Sequence, residues 1–197
     1  IKSIVPLIEK LEKEKKINQI LVTSSTLSSS KIFKKFKFKK TIHQFFPIYK
    51  LSFAEKFLNF WKPSLVIFID SEIWPNMLLS INKKNIPTIL LNARITRKSF
   101  KRWLYFKSFA LKIFNCFDIT FPQNKETIEY LKSLRVKKIK LLGNIKFSEN
   151  EHILKSKINS KVKKFIKKKN YWCAASTHDN EEAMCANVHL KLKKKKK

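Results

Sequence analysis

The sequence predicts an α/β protein built on a doubly wound parallel sheet, and three observations carry that prediction. Short runs of β-branched and large apolar residues recur along the chain, Leu65-Val66-Ile67-Phe68-Ile69 being the clearest. Amphipathic stretches of helical length alternate with them, joined by short turns. Each run ends in a loop with polar or charged residues, which is where open parallel sheets bind ligands.

Taken in order, Val5, Leu7, Ile8 and Leu11, with Glu and Lys between them, predict an amphipathic helix. Residues 19–23 read as a strand, followed by a hydroxyl-rich loop, 24–30, able to cap the next helix. Residues 31–40 are low-complexity Lys and Phe with no assignable face. A strand over 42–48 ends near Pro47, and a helix over 53–61 sets Phe53, Phe57, Leu58 and Trp61 on one side until Pro63 stops it. The 65–69 run reads as a central strand buried on both faces. It exits into Asp70-Ser71-Glu72-Ile73-Trp74-Pro75-Asn76, where Pro75 suits the first turn of a helix reaching about Lys84. A strand over 88–91 exits into Asn92-Ala93-Arg94, and one long helix is expected over 98–115. A strand over 118–121, a helix over 124–134 and a strand over 139–142 follow, the last running into Gly143-Asn144-Ile145-Lys146-Phe147.

Residues 1–147 are thus expected to form one Rossmann-like domain with its amino end missing, and 148–169 a Lys-rich helical connector. Residues 170–197 read as the first strand, loop and helix of a second domain. The strand is expected over 171–175, the loop at Ser176-Thr177-His178 and the helix over 181–192. One such unit cannot bury its own apolar face, so the second domain is expected to be truncated. A start at Ile1, already inside an amphipathic pattern, also reads as a fragment.

Composition narrows the function classes. Hydrophobic content of 44% with 17 Phe supplies a core and argues against wholesale disorder. The net charge of +30 suits nucleic acid, anionic lipid or a phosphorylated substrate. Because Lys is spread along the whole chain, we favour compositional drift with a membrane-surface component over a nucleic-acid-binding module. Cys116, Cys173 and Cys185 form no paired motif, and with His178 and His189 they match no zinc spacing, so no metal site is expected. No apolar run approaches the ~20 residues of a membrane span, and no signal peptide is visible. The single glycine, Gly143, is expected to serve a positive φ or a close backbone approach.

Four strand-end loops carry the candidate chemistry: Asp70 and Glu72, Asn92 and Arg94, Asn144 and Lys146, and Ser176, Thr177 and His178. Carboxylates beside Arg and Lys can hold an anionic ligand and move protons. Each also has a bland counterpart. Arg94 can simply pair with Glu72, Lys146 can be one more surface lysine, and His178 can cap the following helix.

The chain resembles the 3-deoxy-D-manno-octulosonic acid (Kdo) transferases specific for lipid A. The resemblance is carried by Asp70-Ser71-Glu72-Ile73-Trp74-Pro75-Asn76, Ile86-Pro87, Asn92-Ala93-Arg94, Gly143-Asn144-Ile145-Lys146-Phe147 and Ala175-Ser176-Thr177-His178 with Glu181-Glu182. It implies a two-domain GT-B glycosyltransferase moving Kdo from CMP-Kdo to a lipid A precursor, inverting and without metal or other cofactor. The implied setting is the cytoplasmic face of the inner membrane, with the anionic membrane surface rather than nucleic acid as partner. It further implies that Asp70 and Lys146 stabilise the transition state, with Glu72 beside them. Asn92, Arg94, Asn144, Ser176, Thr177 and His178 would bind substrate. The general base, a Glu of a Gly-Glu pair, would fall just before Ile1, so this chain alone is expected to be inactive. Two positions depart from the family pattern. Asp70 stands for a Glu, one methylene longer, and Asn180 stands for a Gly. A sugar-nucleotide transferase with another donor is the reading nearest to this one.

Overall fold

Two parallel ladders form the spine of the protein, seen in a computed structural model that describes residues 2–47, 49–145 and 172–195. The chain divides into two compact units, residues 1–151 and 152–197. In the first unit, helix α1 (Val5–Lys13) leads into strand β1 (Ile20–Ser24). Helix α2 (Leu27–Phe33) starts inside the hydroxyl-rich segment that reads as loop, because Thr26 caps it by accepting the Ser29 N–H at 3.3 Å. Strand β2 (Thr41–Phe45) pairs with β1 in parallel, and Ile8, Val22 and Phe33 make a small core against them.

Glu12 fixes the entry to β2. Its carboxylate accepts the Lys39 N–H at 3.2 Å, the Lys40 N–H at 2.8 Å and the Thr41 hydroxyl at 2.8 Å. Desolvation pushes its pKa up, but these hydrogen bonds outweigh that push and hold it below the ordinary 4.5. A carboxylate depressed in the folded state stabilises above its unfolded pKa, and that contribution fades as pH falls through the folded value. A Glu12→Gln variant should therefore lose stability at neutral pH and show a shallower dependence on pH in acid. Urea titrations at neutral pH and below pH 4.5 read the difference, and parallel curves for the two proteins would contradict it.

Helix α3 (Leu51–Trp61) precedes the second ladder, in which β3 (Val66–Ile69), β4 (Thr88–Ala93) and β5 (Ile119–Pro122) lie in sequential parallel order. The middle strand is β4, and it carries the buried Thr88, Leu90, Asn92 and Ala93. The 65–69 run, expected to be central, has one ladder partner and only Phe68 fully buried. Helices α4 (Pro75–Lys83) and α7 (Lys125–Ser133) help close the core around Leu78, Leu90, Phe114, Phe117, Leu131 and Leu134. The strand expected over 139–142 reduces to a single parallel bridge, Thr120 to Ile139. Leu141 and Leu142 both stand exposed, so among the described residues nothing packs there to extend the ladder.

The single helix expected over 98–115 is two, α5 (Arg97–Tyr105) and α6 (Lys107–Phe114), parted at Phe106 with φ −122° and ψ 58°. Trp103 and Phe114 explain the break. In one straight helix, residues eleven apart lie about 16 Å from each other along the axis. Here their rings meet edge to face at 5.3 Å.

Helix ends close without glycine. Asn85 and Arg135 take left-handed backbone at φ 52° and 53°. The next N–H groups reach back, Ile86 to the Ile81 carbonyl at 3.2 Å and Val136 to the Leu131 carbonyl at 3.1 Å. Lys62 ends α3 with the same left-handed backbone at φ 43°, but here its own N–H reaches the Leu58 carbonyl at 2.9 Å, because Pro63 after it has no N–H to give.

In the second unit, helix α8 (Glu181–Lys195) runs three residues beyond the expected end. Residues 172–175 take no strand, and 171 and the expected connector lie outside the described residues.

Candidate active site

The register of the second ladder builds the site. Ile69 faces Leu91 across the β3–β4 pair, so the residues after them, Asp70 and Asn92, leave the sheet side by side. Both backbones are left-handed, Asp70 at φ 61° and Asn92 at φ 55°. Among non-glycine residues, Asp and Asn tolerate this conformation best. Asn92 is also the bulged residue between Leu91 and Ala93 where β4 pairs with β5, and bulges re-aim side chains at strand ends.

That aim ties three loops together. The Asn92 side chain, 1% exposed, donates from Nδ2 to the Asp70 carboxylate. Its Oδ1 accepts the Ile145 N–H at 3.2 Å. Backbone bonds reinforce the pair: Asp70 N–H reaches the Leu91 carbonyl at 3.0 Å and Arg94 N–H the Asp70 carbonyl at 3.3 Å. The Ser71 hydroxyl donates to the Arg94 carbonyl at 2.7 Å. A buried amide with donor and acceptor both engaged orients the groups it touches. Asp70 is accordingly held half-buried at the mouth, while Glu72 and Arg94 are exposed beside it. Among the described residues no ion pair joins Glu72 to Arg94, so their pairing with each other does not account for the two charges.

Asn144 is half-buried on the third loop, next to Gly143 at φ 86°. A Cβ at Gly143 would meet nothing within 4 Å, so that glycine serves the turn and not a close approach. Lys146 lies outside the described residues.

Ser176, Thr177 and His178 belong to the second unit, where their bonds are local to the start of α8. The Thr177 hydroxyl donates to Glu182 at 2.9 Å, and the His178 backbone N–H donates to Glu181 at 2.9 Å. His178 meets the helix end through its main chain, not through its ring. Asn180 takes the place of glycine at φ 70°, and Ser176 is also left-handed at φ 58°. The turn keeps its left-handed residue without glycine.

A feature absent from the expected site is a pocket of about 200 Å³ lined by Phe46, Tyr49, Lys50, Ala54, Trp74 and Met77 among others. Trp74 stacks on Phe46 at 5.3 Å and meets Tyr49 at a tilt at 4.8 Å, and Asn76 donates to the Tyr49 carbonyl. The Trp-Pro-Asn triplet marked one wall in the sequence. The opposite wall follows β2, and nothing in its residues signalled the pairing.

The architecture is of the GT-B class. The crystal structure of UDP-GlcNAc 2-epimerase from Neisseria meningitidis bound to UDP-GlcNAc superposes with a TM-score of 0.55 over 85% of this chain and 50% of that one, at 15% identity. The family model described as 3-deoxy-D-manno-octulosonic-acid transferase (kdotransferase) matches residues 1–149, and the chain belongs to that family. The 3-deoxy-D-manno-octulosonic acid transferase of Rickettsia conorii is 38% identical over 176 residues, covering 89% of this chain and 38% of the relative. The probable mitochondrial enzyme of that name from Arabidopsis thaliana is 28% identical over 201 residues, covering 95% and 44%. The chain thus spans about two fifths of the length of these curated relatives. None of these matches points to a nucleic-acid-binding module.

Proposed function

We propose that the protein is a Kdo transferase, moving Kdo from CMP-Kdo to a lipid A precursor with inversion at the anomeric carbon and without a metal or cofactor. The acceptor hydroxyl attacks the anomeric carbon, the bond to the cytidylate phosphate breaks, and CMP departs. The acceptor's proton passes to the Glu that the family carries ahead of the residues matching Ile1. In this reading Asp70 stabilises positive charge developing on the sugar. Lys146 offsets the charge growing on the departing phosphate. Glu72 stands with them as a catalytic group, and Arg94 and Asn144 hold substrate at the sheet edge of the first unit. Ser176, Thr177 and His178, in the second unit, are assigned to substrate binding by the same family resemblance. Asn92 serves them by holding Asp70. We place the reaction at the cytoplasmic face of the inner membrane.

One observation carries the reading. The buried Asn92 amide locks Asp70 to the Asn144 loop at the sheet edge where such folds bind substrates. Preorganisation of that kind suits a group that must meet developing charge. Family membership supports Kdo as the group transferred.

The test is transfer of labelled Kdo from CMP-Kdo to a lipid A precursor by the protein expressed from its whole gene, with other sugar nucleotides as competitors. Asp70→Asn, which keeps size and removes charge, should lower the rate on the order of a hundredfold or more. Full activity in that variant would remove Asp70 from the chemistry. Transfer of a competitor sugar instead of Kdo would replace the donor.

A further inference from the structure

The crossover from β4 to β5 carries a second organised surface. At the α5–α6 break the chain exposes Leu104, Tyr105, Phe106 and Phe109, with Tyr105 81% and Phe106 72% accessible. Packing does not require this. Phe100 and Trp103, on the other face of α5, already meet Tyr130 at 4.2 Å and Phe114 at 5.3 Å, so the helix is anchored without the outward rings. Two large aromatics left in water lose roughly 1.5–3 kcal/mol each relative to burial, so their exposure asks for a partner.

The charges around the rings say which. Lys101, Arg102 and Lys107 flank them, all exposed, with Arg97 and Lys98 one turn further back. No acidic residue occurs between Glu72 and Asp118. The acids of the neighbouring α7 are engaged, Glu126 by the Tyr130 hydroxyl at 2.6 Å and Glu129 by Lys132 at 3.1 Å. Like charge on a facing copy would repel a second molecule of this chain. Nucleic acid would need a groove that tracks the backbone, and neither pocket described for the protein is lined by these rings. Aromatics ringed by long cationic side chains match a bilayer interface, the rings at headgroup depth and the cations on lipid phosphates.

We propose that the α5–α6 elbow is a membrane-contact surface, with Tyr105 and Phe106 entering the headgroup layer of an anionic bilayer and Lys101, Arg102 and Lys107 binding its phosphates. The elbow extends the reading of a lipid-linked acceptor by naming the face that meets the lipid. Its binding is measured without CMP-Kdo or acceptor, so failure of either idea leaves the other standing.

The experiment is co-sedimentation of the 197-residue chain with vesicles of phosphatidylcholine alone or with about a third phosphatidylglycerol. The mixed vesicles should bind at least tenfold more tightly, and binding should weaken as salt rises. The double variant Tyr105→Ser/Phe106→Ser should lose on the order of tenfold. Each of Lys101→Ser, Arg102→Ser and Lys107→Ser should lose about fivefold. Phe60→Ser removes an equally exposed ring on α3 and should bind as the parent does. The idea fails if the serine double variant binds like the parent, or if Phe60→Ser is the variant that loses binding. It fails equally if the elbow variants instead abolish a dimer or the binding of single-stranded RNA while vesicle binding persists.

Discussion

Replacing Asn92 by Ala is expected to destabilise the protein by about 3 kcal/mol and, in the protein expressed from its whole gene, to abolish the proposed Kdo transfer. The loss has separable parts. Ala at φ 55° is disfavoured by roughly 1 kcal/mol relative to a residue that tolerates left-handed backbone. The Asp70 carboxylate and the Ile145 N–H each lose a buried partner, at about 1–3 kcal/mol apiece before relaxation and water recover some of it. Asn92→Gly separates the two causes, since it frees the backbone and still removes the amide. It should recover only about 1 kcal/mol of stability and no activity. Asn92→Asp sets a second carboxylate against Asp70 and should be no better than Ala. Urea unfolding of the three variants, paired with the transfer assay, decides the matter. An Asn92→Gly protein with parental activity would show that the amide does not position Asp70.

Phe114→Ala is expected to remove about 3–5 kcal/mol, the range for deleting a fully enclosed aromatic ring. Phe114 is inaccessible to solvent and sits against Trp103 and Phe117, with ring centres at 5.3 and 6.5 Å. Those contacts hold α6 on the sheet and the α5–α6 bend in place. Phe106→Ala deletes the same ring eight residues earlier, on the outside of the bend, and should stay within about 0.5 kcal/mol of the parent. Denaturation midpoints measure both. Equal losses at the two positions would mean that the elbow is packed and not exposed, and the membrane proposal would fall with that result.

The order of elements in the first unit was legible because apolar runs of strand length alternate with amphipathic stretches, a pattern that needs no knowledge of neighbours. What depended on neighbours was not. Nothing local at Phe106 marks a helix break, since neither Pro nor Gly is near; the break answers to a ring on the following helix. Residues 139–142 look like a strand but find a partner only at Thr120. The 65–69 run is apolar enough to be central, yet β4 takes that position because two strands flank it. Asp70, Glu72, Asn92, Arg94 and Asn144 were visible as strand-end polar residues. That Asn92 faces inward to Asp70 while Arg94 faces water depends on a bulge, and a bulge shows only once the register of two ladders is known. Membership of the Kdo transferases was legible from the order of the motifs, and the family match bears it out.

The near absence of glycine reaches past the folded state. Seven non-glycine residues among those described hold left-handed backbone, three of them at helix ends that commonly carry glycine. Asp and Asn tolerate that backbone, and the other three, Lys62, Arg135 and Ser176, strain the native structure by roughly 1–2 kcal/mol each relative to glycine. The same substitution narrows the conformations open to the denatured chain, which favours folding by about 0.4–1 kcal/mol per site. The two effects oppose each other, so part of the strain visible in the turns is offset by a stiffer unfolded ensemble. A protein poor in glycine therefore begins folding from a more restricted set of chain shapes, and its tight turns reflect a property of the random coil as much as of the fold.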